Sequence, residues 1–245
     1  MPDPAPKAEL MRSLGRLARG LSALFWGLPL TMVVGVQTVQ TNWLEHLGMA
    51  PSILTSSLLL FGLMQLGGFQ RQERVWVRAL DGSKLLATIN LGLSPFLFWW
   101  HRVPDMRFFA LVVGILAITG LGFLVSVNHL LRRLTAMLPV ETLRQETRTF
   151  TLVNFYLISA AIFFLGASWI VAHFILMPGQ AGSFPGFQEA MGRDTWPIFV
   201  QQIVEDGSFQ WCLVFLILLP VAITMAMLWK IKEIILASVF ASSDS

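Results

Sequence analysis

The interiors of the six long apolar runs in this chain contain no Asp, Glu, Lys or Arg. Proton- and ion-coupled carriers commonly keep an ionisable side chain at membrane depth, so this absence weighs against a proton-driven pump. Cysteine is nearly missing too. Cys212 stands alone, which excludes an intrachain disulfide and any C-x-x-C redox or zinc pattern. Charge is scarce overall: 13% of the 245 residues carry one, against about 25% in an average soluble domain. Too few polar groups remain to cover a globule, and lipid is the natural solvent for the excess apolar surface. The net charge of +3 does not gather into a basic groove, so nucleic acid is not an expected partner.

What is present is apolar length. The runs fall at about 20–40, 51–69, 85–100, 107–127, 150–177 and 209–229. A helix needs about 20 residues to cross a hydrocarbon core about 30 Å thick. The expected fold is all-α: a polytopic membrane protein, a bundle of six transmembrane helices with short amphipathic helices at the interfaces. The third run, "LLATINLGLSPFLFWW", is short, and crosses only if Lys84 and Arg102 stretch their stems towards the two headgroup layers. No small-residue cleavage site follows the first run at "VQTVQTNW", so it reads as an uncleaved anchor rather than a secretory signal.

The loop charges set the orientation. With the N-terminus inside, the inner segments hold Lys7, Arg12, Arg16, Arg19, Arg71, Arg74, Arg78, Lys84, Arg132, Arg133, Arg144, Arg148, Lys230 and Lys232. That is 14 of the 17 basic residues. The acidic residues divide 8 inside to 6 outside, so the bias belongs to Lys and Arg, as the positive-inside rule requires. The expected organisation is a cytoplasmic tip and basic amphipathic helix over 1–19, a transmembrane domain over 20–229 and a cytoplasmic tail over 230–245. Both termini then face the cytoplasm from a plasma (inner) membrane.

Outside the core, "MPDPAP" reads as an irregular tip. From Lys7 to Gly20 the leucines and arginines separate onto two faces, as in a helix lying on anionic headgroups. "NHLLRRLTAMLPVETLRQETRTF" breaks at Pro139 and predicts two helices that extend the fourth and fifth crossings into the cytoplasm. Its Arg132, Arg133, Arg144 and Arg148 are candidate partner-docking residues or a solvated elbow. The outer loop 178–208 predicts a short surface helix from Asp194 or Thr195 to Gly207. Trp43, Trp99, Trp100, Trp196 and Trp211 map to the outer interface and Trp76 and Trp229 to the inner one, as an aromatic belt would.

Polar residues are costly in lipid, so chemistry should show there. Gln37, Gln65, Asn90 and Asn154 are candidates for interhelical bonds or for contacts to a solute. His173, in "SWIVAHFILMP", lies five residues before Pro178, about 7.5 Å of helix rise. That places it near the outer headgroups, where an imidazole is cheap. A bis-histidine haem needs two imidazoles facing each other at one depth; His173 with His101 or His46 could meet this in principle, while His129 has no inner partner, and an interfacial ring is the expected reading. No H-E-x-x-H, G-x-S-x-G or phosphate-loop pattern occurs, so neither a catalytic site nor a cofactor or metal is expected. Ala23, Gly27, Thr31 and Gly35 recur every four residues as a ridge for close helix approach. Pro29, Pro95 and Pro220 interrupt three crossings as candidate hinges. Two readings follow. One is a non-catalytic structural or partner-binding subunit of a membrane complex, or a homo-oligomer. The other is a transporter or permease component for an uncharged or lipid-like solute.

Overall fold

A computed structural model describes residues 4–41, 43–69, 73–103, 106–137, 141–175 and 207–241, of which 4–11, 40, 168–175, 207–213 and 238–241 are described by backbone alone. Among the described residues there are seven α-helices and no strand. They are α1 (Pro4–Gln40), α2 (Ala50–Leu66), α3 (Arg74–Leu93), α4 (Phe96–Arg102), α5 (Arg107–Ala136), α6 (Glu141–Ile175) and α7 (Gly207–Ala241), with a 3₁₀ turn at Glu45–Leu47. Four segments are long and apolar enough to cross a membrane: Arg12–Val39, Arg107–Ala136, Glu141–Ala167 and Val214–Ala237. The described residues form an all-helical fold, as composition and periodicity predict.

The remaining apolar runs behave differently. The helix α2 is apolar but only 17 residues long. The third run is not one helix. Its first part belongs to α3, which begins at Arg74 rather than near 85, and its last part is α4. Ser94 and Pro95 make the break: the Ser94 amide still closes on the Asn90 carbonyl at 2.9 Å, but Pro95 has no amide proton to continue the ladder. Pro29 and Pro220, expected to act in the same way, lie inside the continuous helices α1 and α7.

Two expectations about the N-terminal end are corrected. The basic stretch from Lys7 to Gly20 is not a separate surface helix but the first part of α1, which runs unbroken for 37 residues. Leu17, Leu21 and Leu24, all fully buried, carry one packing face straight across the expected boundary, and no breaker separates the two halves. The helix also starts inside the supposed irregular tip, because Pro4 and Pro6 occupy its first turn, where a missing amide proton costs nothing. At the other end, α7 continues past Trp229 to Ala241, with Ile231 and Ile235 buried one turn apart. The surface helix predicted over 194–207 falls, except for Gly207, outside the described residues.

The chain divides into two compact units, Met1–Asn154 with Val221–Ser245, and Phe155–Pro220. In the first, α1 packs on α2, α2 on α3 and α3 on α5, while α4 touches both α1 and α5. The α1–α2 contact is close because glycines face each other. A Cβ on Gly20 would stand 2.7 Å from the Gly62 carbonyl oxygen, and one on Gly62 would stand 3.0 Å from the Gly20 carbonyl oxygen. Lipid offers no hydrophobic drive between helices, so such backbone approach is what dispersion needs. The second unit holds the later part of α6 and the start of α7. Ile158 and Ala161 are buried there, and Tyr156, Phe163 and Phe215 are exposed.

Candidate functional site

The polar residues of the helices fall into two groups. Most threonines satisfy themselves within their own helix: Thr31 donates to Gly27 O at 2.8 Å, Thr38 to Val34 O at 2.7 Å and Thr88 to Lys84 O at 2.9 Å. This back-bonding is how a hydroxyl is tolerated in an apolar helix. The amides reach further. Thr119 of α5 donates to Asn90 Oδ1 of α3 at 2.6 Å, and Ser83 and Ser126 share a 2.7 Å bond between the same two helices.

The densest polar group joins three helices. Asn128 Nδ2 of α5 and Asn154 Nδ2 of α6 both donate to Thr224 Oγ1 of α7 at 2.9 Å, and Asn128 Nδ2 also reaches Leu124 O at 2.8 Å. All three side chains are buried, Asn154 and Thr224 completely. Asn128 Oδ1 accepts no hydrogen bond among the described residues. One hydroxyl oxygen therefore uses both lone pairs to tie α5 and α6 to α7.

Of the four amides singled out from the sequence, Asn90 and Asn154 make interhelical bonds. Gln37 Oε1 accepts locally from Thr41 at 2.9 Å, and Gln65 sits beside Gly20 on the α1–α2 contact. They serve different contacts and do not converge on one place. Thr224 was visible as a polar residue in a run, but Asn128 lay one residue past the expected end of its crossing. Its signal is periodic: Leu121, Leu124, Asn128 and Leu131 fall on one buried face, which sets an amide among leucines.

The small-residue ridge is displaced. Gly27 does lie in the α1–α2 contact, where a Cβ would meet Leu59 Cδ2 at 2.7 Å. Gly35 has open space, Ala23 and Thr31 are only half-buried, and Gly20 takes the closest approach instead. Trp76 also departs from its expected place in the inner belt. It is fully buried against Phe69, with a ring separation of 6.2 Å, and its indole N–H has no acceptor among the described residues. Trp43, Trp99 and Trp229 are exposed, as belt residues would be.

The cations also divide. Arg144 ties the first turn of α6 to the end of α5, donating to Ala136 O at 3.0 Å and lying 3.7 Å from Glu141. Lys230 of α7 pairs with Glu146 of α6. Arg132, Arg133 and Arg148 are exposed. On the opposite side of the expected bilayer, Arg102 at the end of α4 pairs with Glu45 at 2.7 Å and lies over the Phe98 ring at 5.6 Å. The Arg102 hydrogen bond, and then its charge, hold the Glu45 carboxyl below its ordinary value of 4.5. The His173 side chain lies outside the described residues. Among the described residues no group of three or more His, Cys, Asp or Glu is placed to hold a metal ion.

No protein-family model matches this chain, and no curated protein or solved structure is significantly similar to it.

Proposed function

We propose that the chain is a six-crossing membrane protein with both termini cytoplasmic, acting as a non-catalytic structural or partner-binding subunit of a plasma (inner) membrane complex. In this reading α3 and α4 together make the third crossing and α2 makes a short second one. The observation that carries the proposal is the use of the membrane-depth amides. Asn90, Asn128 and Asn154 are spent on hydroxyls of neighbouring helices, which favours a braced scaffold over a polar passage. Among the cytoplasmic cations outside the ion pairs, Arg132, Arg133 and Arg148 supply a face for an acidic partner. Purification in mild detergent is expected to recover a defined oligomer or stable partner subunits. A lone monomer that moves solute across liposomes would defeat the proposal. Labels placed on both termini of intact cells are expected to stay protected, and exposure of either end would defeat the topology.

A second reading, a permease component for an uncharged or lipid-like solute, draws on the helix break at Ser94–Pro95. Broken helices line many transport sites because they free backbone groups inside the bundle. Replacing Gln37, Gln65, Asn90 and Asn154 with apolar residues would then abolish transport, and intact transport in that variant would end this reading.

A further inference from the structure

Four described cations have a carboxylate partner: Lys84 with Asp81, Arg102 with Glu45, Arg144 with Glu141 and Lys230 with Glu146. Arg12, Arg16 and Arg19 have none within 4.0 Å among the described residues. What sets these three apart from other exposed arginines is their placement. All three are exposed on one face of α1 and border a shallow, open groove between their own side chains above Gly15, where an added Cβ would meet nothing within 4 Å. The spacing i, i+4, i+7 spreads them over about 10 Å of helix rise on one face. The fully buried Leu17, Leu21 and Leu24 fix the opposite face of α1 in the core.

The groove is also held in position. Arg19 Nε donates to Gly15 O at 3.4 Å, which lays its side chain back along the groove. The Arg16 guanidinium carbon lies 3.4 Å from where a Cβ of Gly68 would stand, so this side chain rests on the turn that closes α2. The three arginines lie in the two turns before the apolar run that begins at about residue 20, where a basic segment flanking a crossing meets lipid headgroups.

We propose that this groove binds the headgroup of an anionic phospholipid bearing two phosphates. A guanidinium presents paired N–H donors that match phosphate oxygens. A row of three over this length exceeds the reach of one phosphate and suits two joined by a short polar bridge. Basic pockets at the cytoplasmic rim of a helix bundle are suited to such lipids. The inference rests on the membrane reading but not on the choice between subunit and permease.

The test uses the full chain in phosphatidylcholine nanodiscs doped at matched charge with either phosphatidylglycerol or diphosphatidylglycerol, reading the lipid retained on the protein. Diphosphatidylglycerol is expected to be enriched roughly tenfold over phosphatidylglycerol. The enrichment should vanish in Arg12→Gln/Arg16→Gln/Arg19→Gln and persist in Arg132→Gln/Arg133→Gln/Arg148→Gln, which removes the same charge elsewhere. Because the first variant also weakens the orientation signal, Arg12→Lys/Arg16→Lys/Arg19→Lys provides a second reading. It keeps charge and topology, and should lose most of the preference with the paired donors. Equal loss in both glutamine variants would overturn the site in favour of diffuse surface attraction, and undiminished preference in the lysine variant would overturn the geometry. Competition by inorganic diphosphate as strong as by the lipid would assign the groove to a free anion. A chain that never enters nanodiscs would overturn the membrane reading beneath the proposal, and the proposal with it.

Discussion

The α1–α2 contact and the α5–α6–α7 contact solve the same problem with opposite means. The first brings backbones together at Gly20 and Gly62, with Leu24 and Leu59 filling the flanks. The second bridges its helices through the side chains of Asn128, Asn154 and Thr224. Between helices in lipid there is no hydrophobic drive, so association draws on dispersion or on hydrogen bonds. Dispersion demands the absence of a side chain at one point. A hydrogen bond demands the presence of particular side chains on each helix. The two contacts should therefore fail under different substitutions, and that difference can be measured.

The largest effect is expected where an added methyl meets backbone. In Gly20→Ala the new Cβ would stand 2.7 Å from the Gly62 carbonyl, and a carbonyl in a helix cannot step aside, so α1 and α2 must separate. A loss of about 1–3 kcal/mol is expected. Gly27→Ala meets Leu59 Cδ2 at the same distance, but a leucine end can rotate, so its cost should be smaller. Gly35→Ala meets nothing within 4 Å and should stabilise the helix slightly, by about 0.5–1 kcal/mol, through lower backbone entropy cost. Reversible unfolding in mixed micelles, followed by circular dichroism, orders the three. A Gly35→Ala variant as damaged as Gly20→Ala would return the contact to the ridge that the four-residue spacing suggests.

The second contact should break at its shared acceptor. Thr224→Val keeps the shape but strips two amides of their partner, and a loss of about 1–2 kcal/mol is expected, at the upper end for interhelical bonds in membranes. Thr119→Val removes the single bond to Asn90 and should cost about 0.6 kcal/mol, the average for such bonds. In the same unfolding assay, equal costs for the two would mean that the three-helix junction is no stronger than an ordinary pair. Combining Thr224→Val with Gly20→Ala should give an additive loss, because the sites share no partner.

That contrast also marks what the sequence can and cannot tell. The all-helical class and the four long spans were legible because apolar length and the absence of charge need no partner to be read. Helix ends were legible only where a breaker stands: Pro95 splits its run, whereas nothing between Arg19 and Leu21 stops α1, and the expected boundary there was drawn on charge alone. Gly27 was legible in the small-residue spacing, but Gly20 was not, because the close approach depends on Gly62 in another helix. The same reason hides Asn128 as a bridging residue: a lone amide beside Leu124 and Leu131 acquires its role from Thr224, 96 positions along the chain. Trp76 was misplaced because an indole at a run's end suits a belt and a core equally until its neighbours are known.

A third kind of contact sharpens the comparison by lying on the exposed surface. Glu45 and Arg102 pair where water reaches both side chains, so the bond should be weak and should respond to pH, unlike the buried amides. Its sign follows from the depressed carboxyl. A carboxylate whose pKa is lower in the folded state than its ordinary 4.5 adds stability above that value and loses it as pH falls through the folded value. The charge of neighbouring His46 and His101 lowers the same carboxyl, so the pair should hold through mildly acidic conditions. Arg102→Gln should therefore be slightly less stable than the parent at pH 6, by no more than a small fraction of the Gly20→Ala loss, since exposed pairs contribute little. The two proteins should converge as pH drops below the ordinary carboxylate range. Raising salt at pH 6 should narrow the same gap by screening. A gap that persists at low pH would mean that Arg102 acts through its packing on the Phe98 ring within α4 rather than through its pairing with Glu45 in the 3₁₀ turn.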